Sequence, residues 1–447
     1  SDGVRAQDLQ QFWDRGASAN FPAATLLVDA DTQAVFEKLW GLASKSVKSV
    51  TAKDIVDQAW EQSSTWAIIP FDQIEPRWKV MEVDGSSPIR KEFDPAGYPL
   101  AVTFTLNGDA AQVENALATF GPSSARPLAP AGNRDANKLT TVVLTGVTAL
   151  VRGTAGMMEA KGMTYPDQDI RDWLRSADFT HINNEVPFSP KCPPPFPRED
   201  NLVFCSKPAY IELLEDVGTD IIELSGDHFQ DWGADAMLYT IDLYEKEGWK
   251  YYGGGRNLED AQKPLLIEHN GNRFAFLGCN YAGPRSAQAT RNSPGAAACD
   301  YDYLTTEIQQ LRQEGYLPIV TVQHAEYYHM LLSEKQQADF TRLSQAGAVI
   351  VQGSQSHFPQ PKAFTDQGFI DYGPGNLFFD QMDRPVKGTR NEFITRYTFY
   401  QGRLLSIQLT TWELEDYAQP RAMTAGERSA FLQTVFNASI ALLDSDR

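Results

Sequence analysis

The chain runs to 447 residues, 42% hydrophobic and 11% aromatic, which is ample for packed cores and past the size at which one core keeps growing, so two domains are expected. A formal net charge of −19 excludes nucleic acid as a partner and disfavours anionic membrane surfaces, because neutralising phosphates needs clustered Lys and Arg. No apolar run reaches the roughly eighteen residues of a membrane span, and the Ser1-Asp2-Gly3 start reads as a trimmed boundary that lacks an original leader or anchor.

Residues 1–120 read as a small α/β domain, with strands at Ala67-Ile68-Ile69-Pro70 and Pro99 to Phe104 and helical spacing from Ala110 to Phe120. Trp13, Trp40, Trp60, Trp66 and Trp78 fit either a core or the lining of a cleft, with core the default. A Pro-, Gly- and Ser-rich linker covers 121–139. Strand-like Thr140 to Leu150 then opens a regular alternation: a helix around Asp167–Ala177, strand Phe179–Val186, helix Pro208–Val217, strand Asp220–Ser225 and helix Ala234–Glu247. Leu265–Glu268 and Arg273–Gly278 form a hairpin at Asn270-Gly271. Helix Tyr301–Glu314, strand Leu317–Gln323, helix Glu334–Gln345 and strand Ala348–Gln352 follow, and Phe393–Phe399 with Leu404–Trp412 turns back at Gln401-Gly402. The domain at 140–415 is closed by an amphipathic C-terminal helix within 416–447 that packs on it; the alternation implies a layered sheet with helices on its faces.

The four cysteines fall as two local pairs, Cys192 with Cys205 and Cys279 with Cys299, in loop-like stretches without C-x-x-C spacing. Two disulfides would fit an oxidising, extracytoplasmic compartment; four buried thiols in a cytosolic protein is the alternative.

Ligands of open α/β sheets bind beyond the carboxyl ends of strands. The polar residues that follow the predicted strands are few: Glu185; Asp227 and His228; His324 and Glu326; Gln355 and His357; and Asn376. Imidazole beside carboxylate suits Zn, Mn or Fe, and three of the six histidines stand at such ends, while His181, His269 and His329 read as structural.

At these positions the chain resembles the CapA-type family of capsule and poly-γ-glutamate biosynthesis proteins, over residues 140–385. Asn183-Asn184-Glu185-Val186-Pro187 is similar to N-L-E-x-P, Asp227-His228-Phe229-Gln230-Asp231-Trp232-Gly233 to the N-H-x-x-D-x-G signature, and Gly353-Ser354-Gln355-Ser356-His357 to G-S-H-P-H. His324-Ala325-Glu326-Tyr327 resembles H-W-G-x-E-Y loosely, and Gly375-Asn376-Leu377-Phe378-Phe379-Asp380-Gln381 is close to G-N-F-x-F-D-Q. The resemblance implies a four-layer, metallophosphoesterase-like α/β/β/α sandwich. It also implies Glu185, Asp227, His324, Gln355 and His357 as metal-site positions, His228 as the acid, Asp231 beside it, and Asn376 and Glu326 as supporting residues. The family opens with G-D, but Val147 occupies the place of that Asp, and Gln355 replaces a histidine. An isopropyl group cannot ligate a cation, so one divalent ion rather than two is expected, or none.

The N-terminal part, at Trp66 to Phe71 and Trp78-Lys79-Val80, faintly resembles a periplasmic solute-binding lobe. Two functions remain open: a metal-dependent hydrolase of a phosphoester or anionic envelope polymer, and a non-catalytic polymer-binding or assembly protein, either one serving a membrane-bound synthesis complex.

Overall fold

The computed structural model describes residues 2–62, 64–120, 132–196 and 202–445. Within the predicted linker, 121–131 lie outside them. The chain divides into two compact units, Ser1–Leu139 and Thr140–Arg447.

In the first unit, α1 (Ala6–Arg15) precedes three short strands, β1 (Thr25–Val28), β2 (Val47–Ser49) and β3 (Thr65–Ala67). They are joined by α2 (Ala30–Trp40) and α3 (Ile55–Glu61) into a parallel sheet of order β2-β1-β3. Leu9, Phe12 and Trp13 of α1 bury one face against Leu26, Val28 and Phe36. Of these strands only the last overlaps an expected one, at Ala67, and the strand expected at Pro99–Phe104 is irregular chain, with Phe104 84% exposed. The helix expected from Ala110 is present as α4 (Ala110–Phe120).

The second unit contains a seven-stranded and a six-stranded sheet. The first is built on β4 (Leu139–Thr148), β5 (Phe179–Asn184), β6 (Thr219–Glu223) and β7 (Lys250–Tyr252), all parallel. The second contains β8 (Leu265–His269), β9 (Asn272–Asn280), β10 (Leu317–Gln323), β11 (Ile350–Ser354), β12 (Lys362–Phe364) and β13 (Phe369–Asp371), in the order β8-β9-β10-β11-β13-β12. The antiparallel β14 (Asn391–Tyr400), β15 (Arg403–Glu415) and β16 (Gln419–Ala422) complete the seven-stranded sheet. Both hairpins turn through two residues of positive φ, Asn270-Gly271 (50° and 75°) and Gln401-Gly402 (51° and 74°), the twist that two-residue turns need.

Strand periodicity builds the layers. Val142 and Leu144 of β4 face Phe274, Phe276 and Ile319 of the other sheet in one core between the sheets. Val143 points outward to Met158, Leu213, Met237 and Ile241, and so to α5 (Arg152–Lys161), α7 (Ile211–Asp216) and α8 (Gly233–Glu247). On the far side, Leu277, Val320 and Val351 meet Ile308, Leu311, Phe340 and Leu343 of α10 (Tyr301–Gln313) and α11 (Glu334–Gln345). With helices outside both sheets, the unit is an α/β/β/α sandwich of four layers. Strands buried on both faces read as continuous apolar runs, which is why they were legible.

Local boundaries differ from expectation. The helix expected at Asp167–Ala177 is only α6 (Arg171–Arg175), and α5 was missed because three small residues, Gly153, Ala155 and Gly156, dilute its apolar spacing. The short helix α9 (Leu258–Gln262) was not expected, and the last helix is α12 (Ala425–Ser445), packed through Phe431 and Val435 onto Phe393.

Candidate functional site

The carboxyl ends of β4, β5 and β6 from one sheet and of β10 and β11 from the other meet at one end of the sandwich. Gly226 permits a close approach: a Cβ there would lie 2.5 Å from the Cα of Glu185. Gly146 does the same for the loop bearing Asn376, where a Cβ would lie 2.2 Å from the carbonyl oxygen of Gly375. Gln355 and His357 both hold positive φ, 75° and 49°, a strained backbone of the kind that concentrates at functional sites.

At the centre is a residue the sequence reading did not single out. Gln323, the last residue of β10, is wholly buried and aims its Nε2 at three oxygens: Glu185 Oε2 at 3.2 Å, Asp227 Oδ1 at 3.1 Å, and Gln355 Oε1. Gln355 Nε2 donates in turn to Asp227 Oδ2 at 3.0 Å. An amide nitrogen has two hydrogens, so three oxygens around it leave one acceptor to share or to carry its own proton. Burial, and then the charge of Asp227, push the Glu185 carboxyl up to about 8. Glu185 Oε1 is buried and has no hydrogen-bond partner among the described residues. A polar residue closing a strand of apolar ones, as Gln323 closes Ile319-Val320-Thr321-Val322, was the available signal.

His228 stands at the mouth, its side chain 20% exposed. Its Nδ1 meets Asp231 Oδ2 at 2.7 Å, and its Nε2 lies 3.8 Å from Asp227 Oδ2. Burial works against its charged form, but the Asp231 hydrogen bond and the charges of Glu185 and Asp227 prevail and raise it to about 9, so it is an imidazolium at neutral pH. Phe204 fixes this pair: its backbone N–H donates to Asp231 Oδ2 at 2.8 Å and its ring centroid lies 4.4 Å from that of His228. The neighbouring Cys205 is disulfide-bonded to Cys192, and Cys279 is bonded to Cys299.

The other predicted residues spread outward. His357 is buried and donates from Nδ1 to Asn376 Oδ1 at 2.8 Å; burial lowers its pKa. His324 is also buried and lowered by burial, but its Nε2 is held by Asp339 Oδ2 at 3.1 Å, its ring stacks on Tyr281, and its Nδ1 lacks a partner. No hydrogen bond ties His324 to Glu185 or Asp227 among the described residues. Glu326 is exposed, accepts from Tyr328 Oη, and acts on Glu185 and His357 only through its charge. Val147 is wholly buried and packs with Ala149, Val151, Val186, Phe204 and Phe379, and its isopropyl group offers no ligand to a cation. The remaining histidines are structural: His181 meets Tyr252 Oη at 2.8 Å, His269 meets Thr140 Oγ1 at 3.0 Å, and His329 packs on Tyr327.

Among the described residues, no three His, Cys, Asp or Glu side chains converge closely enough to hold a metal on their own. A cation would have to be held by Glu185 and Asp227 with the amide oxygen of Gln355 completing the set. The buried, unpartnered Glu185 Oε1 and the like-charged Asp227 beside it fit one such ion, whose charge would relieve both. Three imidazoles each oriented through one nitrogen by a carboxylate or amide, His228 by Asp231, His324 by Asp339 and His357 by Asn376, repeat the way metal-site histidines are fixed. The apolar setting of Val147 does not fit a second ion.

The fold and site thus define an α/β/β/α sandwich with a carboxylate–amide–imidazole cluster at its strand ends. Residues 141–381, more than half of the chain, match the model of the family described as bacterial capsule synthesis protein PGA_cap, and the chain belongs to that family. It is 27% identical over 259 residues to the capsule biosynthesis protein CapA of Bacillus anthracis, covering 57% of this chain and 63% of that one. It is 25% identical over 172 residues to the PGA biosynthesis protein CapA of Bacillus subtilis strain 168, covering 38% and 45%. The chain therefore spans less than two thirds of either relative. Solved structures similar to it include the NAD nucleotidase of Haemophilus influenzae (TM-score 0.37, 8% identity, 67% of this chain and 56% of that one). A 5'-nucleotidase precursor from Thermus thermophilus is another (TM-score 0.38, 13% identity, 68% and 58%). No helix among the described residues is long and apolar enough to cross a membrane, and two disulfides are compatible with an extracytoplasmic location.

Proposed function

We propose that this chain works outside the cytoplasm, secreted or anchored, in capsule or poly-γ-glutamate synthesis, and that its strand-end pocket hydrolyses a phosphoester-type bond of an anionic envelope substrate with the help of one divalent cation. The observation that carries the reading is the His228–Asp231 pair at the pocket mouth, 3.8 Å from the Asp227 carboxylate. Glu185, Asp227 and Gln355 would hold the ion; Mn is favoured over Zn by a set of oxygen donors, with Fe as the third candidate. When bound it supplies polarisation of the scissile group and neutralisation of developing charge. His228 binds the anionic group as an imidazolium and gives its Nε2 proton to the leaving oxygen, while Asp231 holds the ring through Nδ1. Phe204 and the buried wall around Val147 exclude water on that side.

The second reading, a polymer-binding or assembly protein without turnover in a membrane-bound synthesis complex, is favoured by Val147 in its apolar cluster and by the amide of Gln323 donating to one oxygen of each carboxylate. Metal analysis of the purified full chain, with turnover of a generic phosphodiester by wild type and His228→Ala, separates them. The hydrolase reading expects about one bound divalent ion and at least a hundredfold loss in the variant, the usual contribution of a general acid. Turnover that His228→Ala leaves intact, or none at all with Mn, Zn or Fe supplied, overturns it in favour of binding.

A further inference from the structure

The first unit has its own cleft, unrelated to the pocket above. In its parallel sheet the chain leaves β1 for β2 on one side and returns to place β3 on the other, so the strand order reverses at β1. Crevices of parallel α/β sheets open at such a reversal, beyond the strands' carboxyl ends. A cleft of about 290 Å³ lies there, between the segments that follow β2 and β3. At roughly 30 Å³ per water it has room for about ten water-sized groups.

Its walls are chemically divided. Ile55 and Val56 of α3 face Ile69 and Trp78 across the apolar part. The loop carrying Trp78 is tied to α3, because Arg77 Nη1 pairs with Asp57 Oδ1 at 2.6 Å and Trp60 Nε1 donates to the Arg77 carbonyl at 3.2 Å. At the polar end, Gln73 Nε2 donates to Asp29 Oδ2 at 3.1 Å, leaving its Oε1 buried without a hydrogen-bond partner among the described residues. A buried, unsatisfied carbonyl oxygen costs about 1–3 kcal/mol and asks for a donor. Glu75, also in the wall, adds negative charge there although Arg77 Nη2 holds it at 3.2 Å. On the opposite rim stands Lys53, exposed and with no ion pair among the described residues.

We infer that this cleft binds a free amino acid with an apolar side chain. Its ammonium donates to Gln73 Oε1 within the field of Asp29 and Glu75, its carboxylate meets Lys53, and its side chain lies against Ile55, Val56, Ile69 and Trp78. The inference stands apart from the hydrolase reading, since none of these residues belongs to the second unit.

The test is isothermal titration calorimetry of the full chain with L-leucine and L-phenylalanine, glycine (no side chain) and 4-methylpentanoate (no ammonium). Saturable binding of leucine or phenylalanine is expected, with glycine and 4-methylpentanoate each at least about tenfold weaker. Lys53→Met and Gln73→Leu are each expected to weaken leucine about tenfold, the effect of one charge-assisted hydrogen bond. Lys53 is exposed, so its variant folds even where Gln73→Leu does not. Absence of heat with both amino acids at millimolar concentration, equal affinity for 4-methylpentanoate, or unchanged affinity in Lys53→Met overturns the inference.

Discussion

The His228–Asp231 pair makes the stability of the second unit depend on pH in a direction that can be worked out. His228 is raised from 6.5 to about 9 against the cost of burial by Asp231, Glu185 and Asp227. A histidine whose folded pKa exceeds its unfolded one binds more protons in the native state between the two values. Its stabilisation is therefore complete below about 6.5 and is lost as pH climbs through about 9. Each pH unit is worth about 1.4 kcal/mol, which sets a ceiling of about 3 kcal/mol for the pair. Glu185, raised to about 8, acts in the same sense: it keeps its proton where the unfolded carboxyl has lost it, so its burial also destabilises progressively from about 4.5 to 8. Denaturant unfolding of chelator-treated protein from pH 6 to 9.5 should show falling stability, with a smaller fall in Asp231→Asn. NMR titration of the His228 ring should place its midpoint well above 6.5 in the wild type and lower in Asp231→Asn. A His228 midpoint at or below 6.5, or a wild-type slope that Asp231→Asn leaves unchanged, would show that Asp231 does not hold the His228 proton.

Three further outcomes follow from the geometry. Val147→Asp puts a carboxylate into an apolar cluster, so it should cost several kcal/mol in metal-free protein and regain part of that with Mn or Zn, raising metal content; thermal melts with and without the ion check this. Removing the Cys192–Cys205 disulfide as the double Ser variant frees a loop of sequence separation 13 and should cost about 3 kcal/mol in unfolding free energy; because Phe204 would lose its anchor, turnover should fall more than a simple stability loss predicts. Asp371→Ala strands the fully buried Lys362 without its ion pair and should cost about 3–5 kcal/mol, whereas replacing both with apolar residues of similar volume should recover most of it, read by denaturant midpoints.

The two sheets and most of their helices were legible because a strand buried on both faces has to be an apolar run and an outer helix has to show its own spacing. The polar residues interrupting those runs at strand ends, Glu185, Asp227, Gln355 and His357, stood out for the same reason. Less could be read in the first unit, where β1, β2 and β3 are three or four residues long and too short for a period to register. Its tryptophans divide accordingly: Trp13, Trp40 and Trp66 pack into the core, while Trp78 lines the cleft.

What the chain order determines by itself is which residues close a strand, and hence which end of the sandwich collects polar groups. Which of those groups touch was decided only by packing one sheet on the other. That packing set the amide of Gln323, at the end of one sheet, against Glu185 and Asp227 at the ends of the other. The physical reason is that hydrogen bonds within a sheet register neighbouring strands only. Contacts across the sandwich depend on side-chain volumes in the shared core and on Gly146, where a single methyl group would hold the loop of Gly375 and Asn376 away.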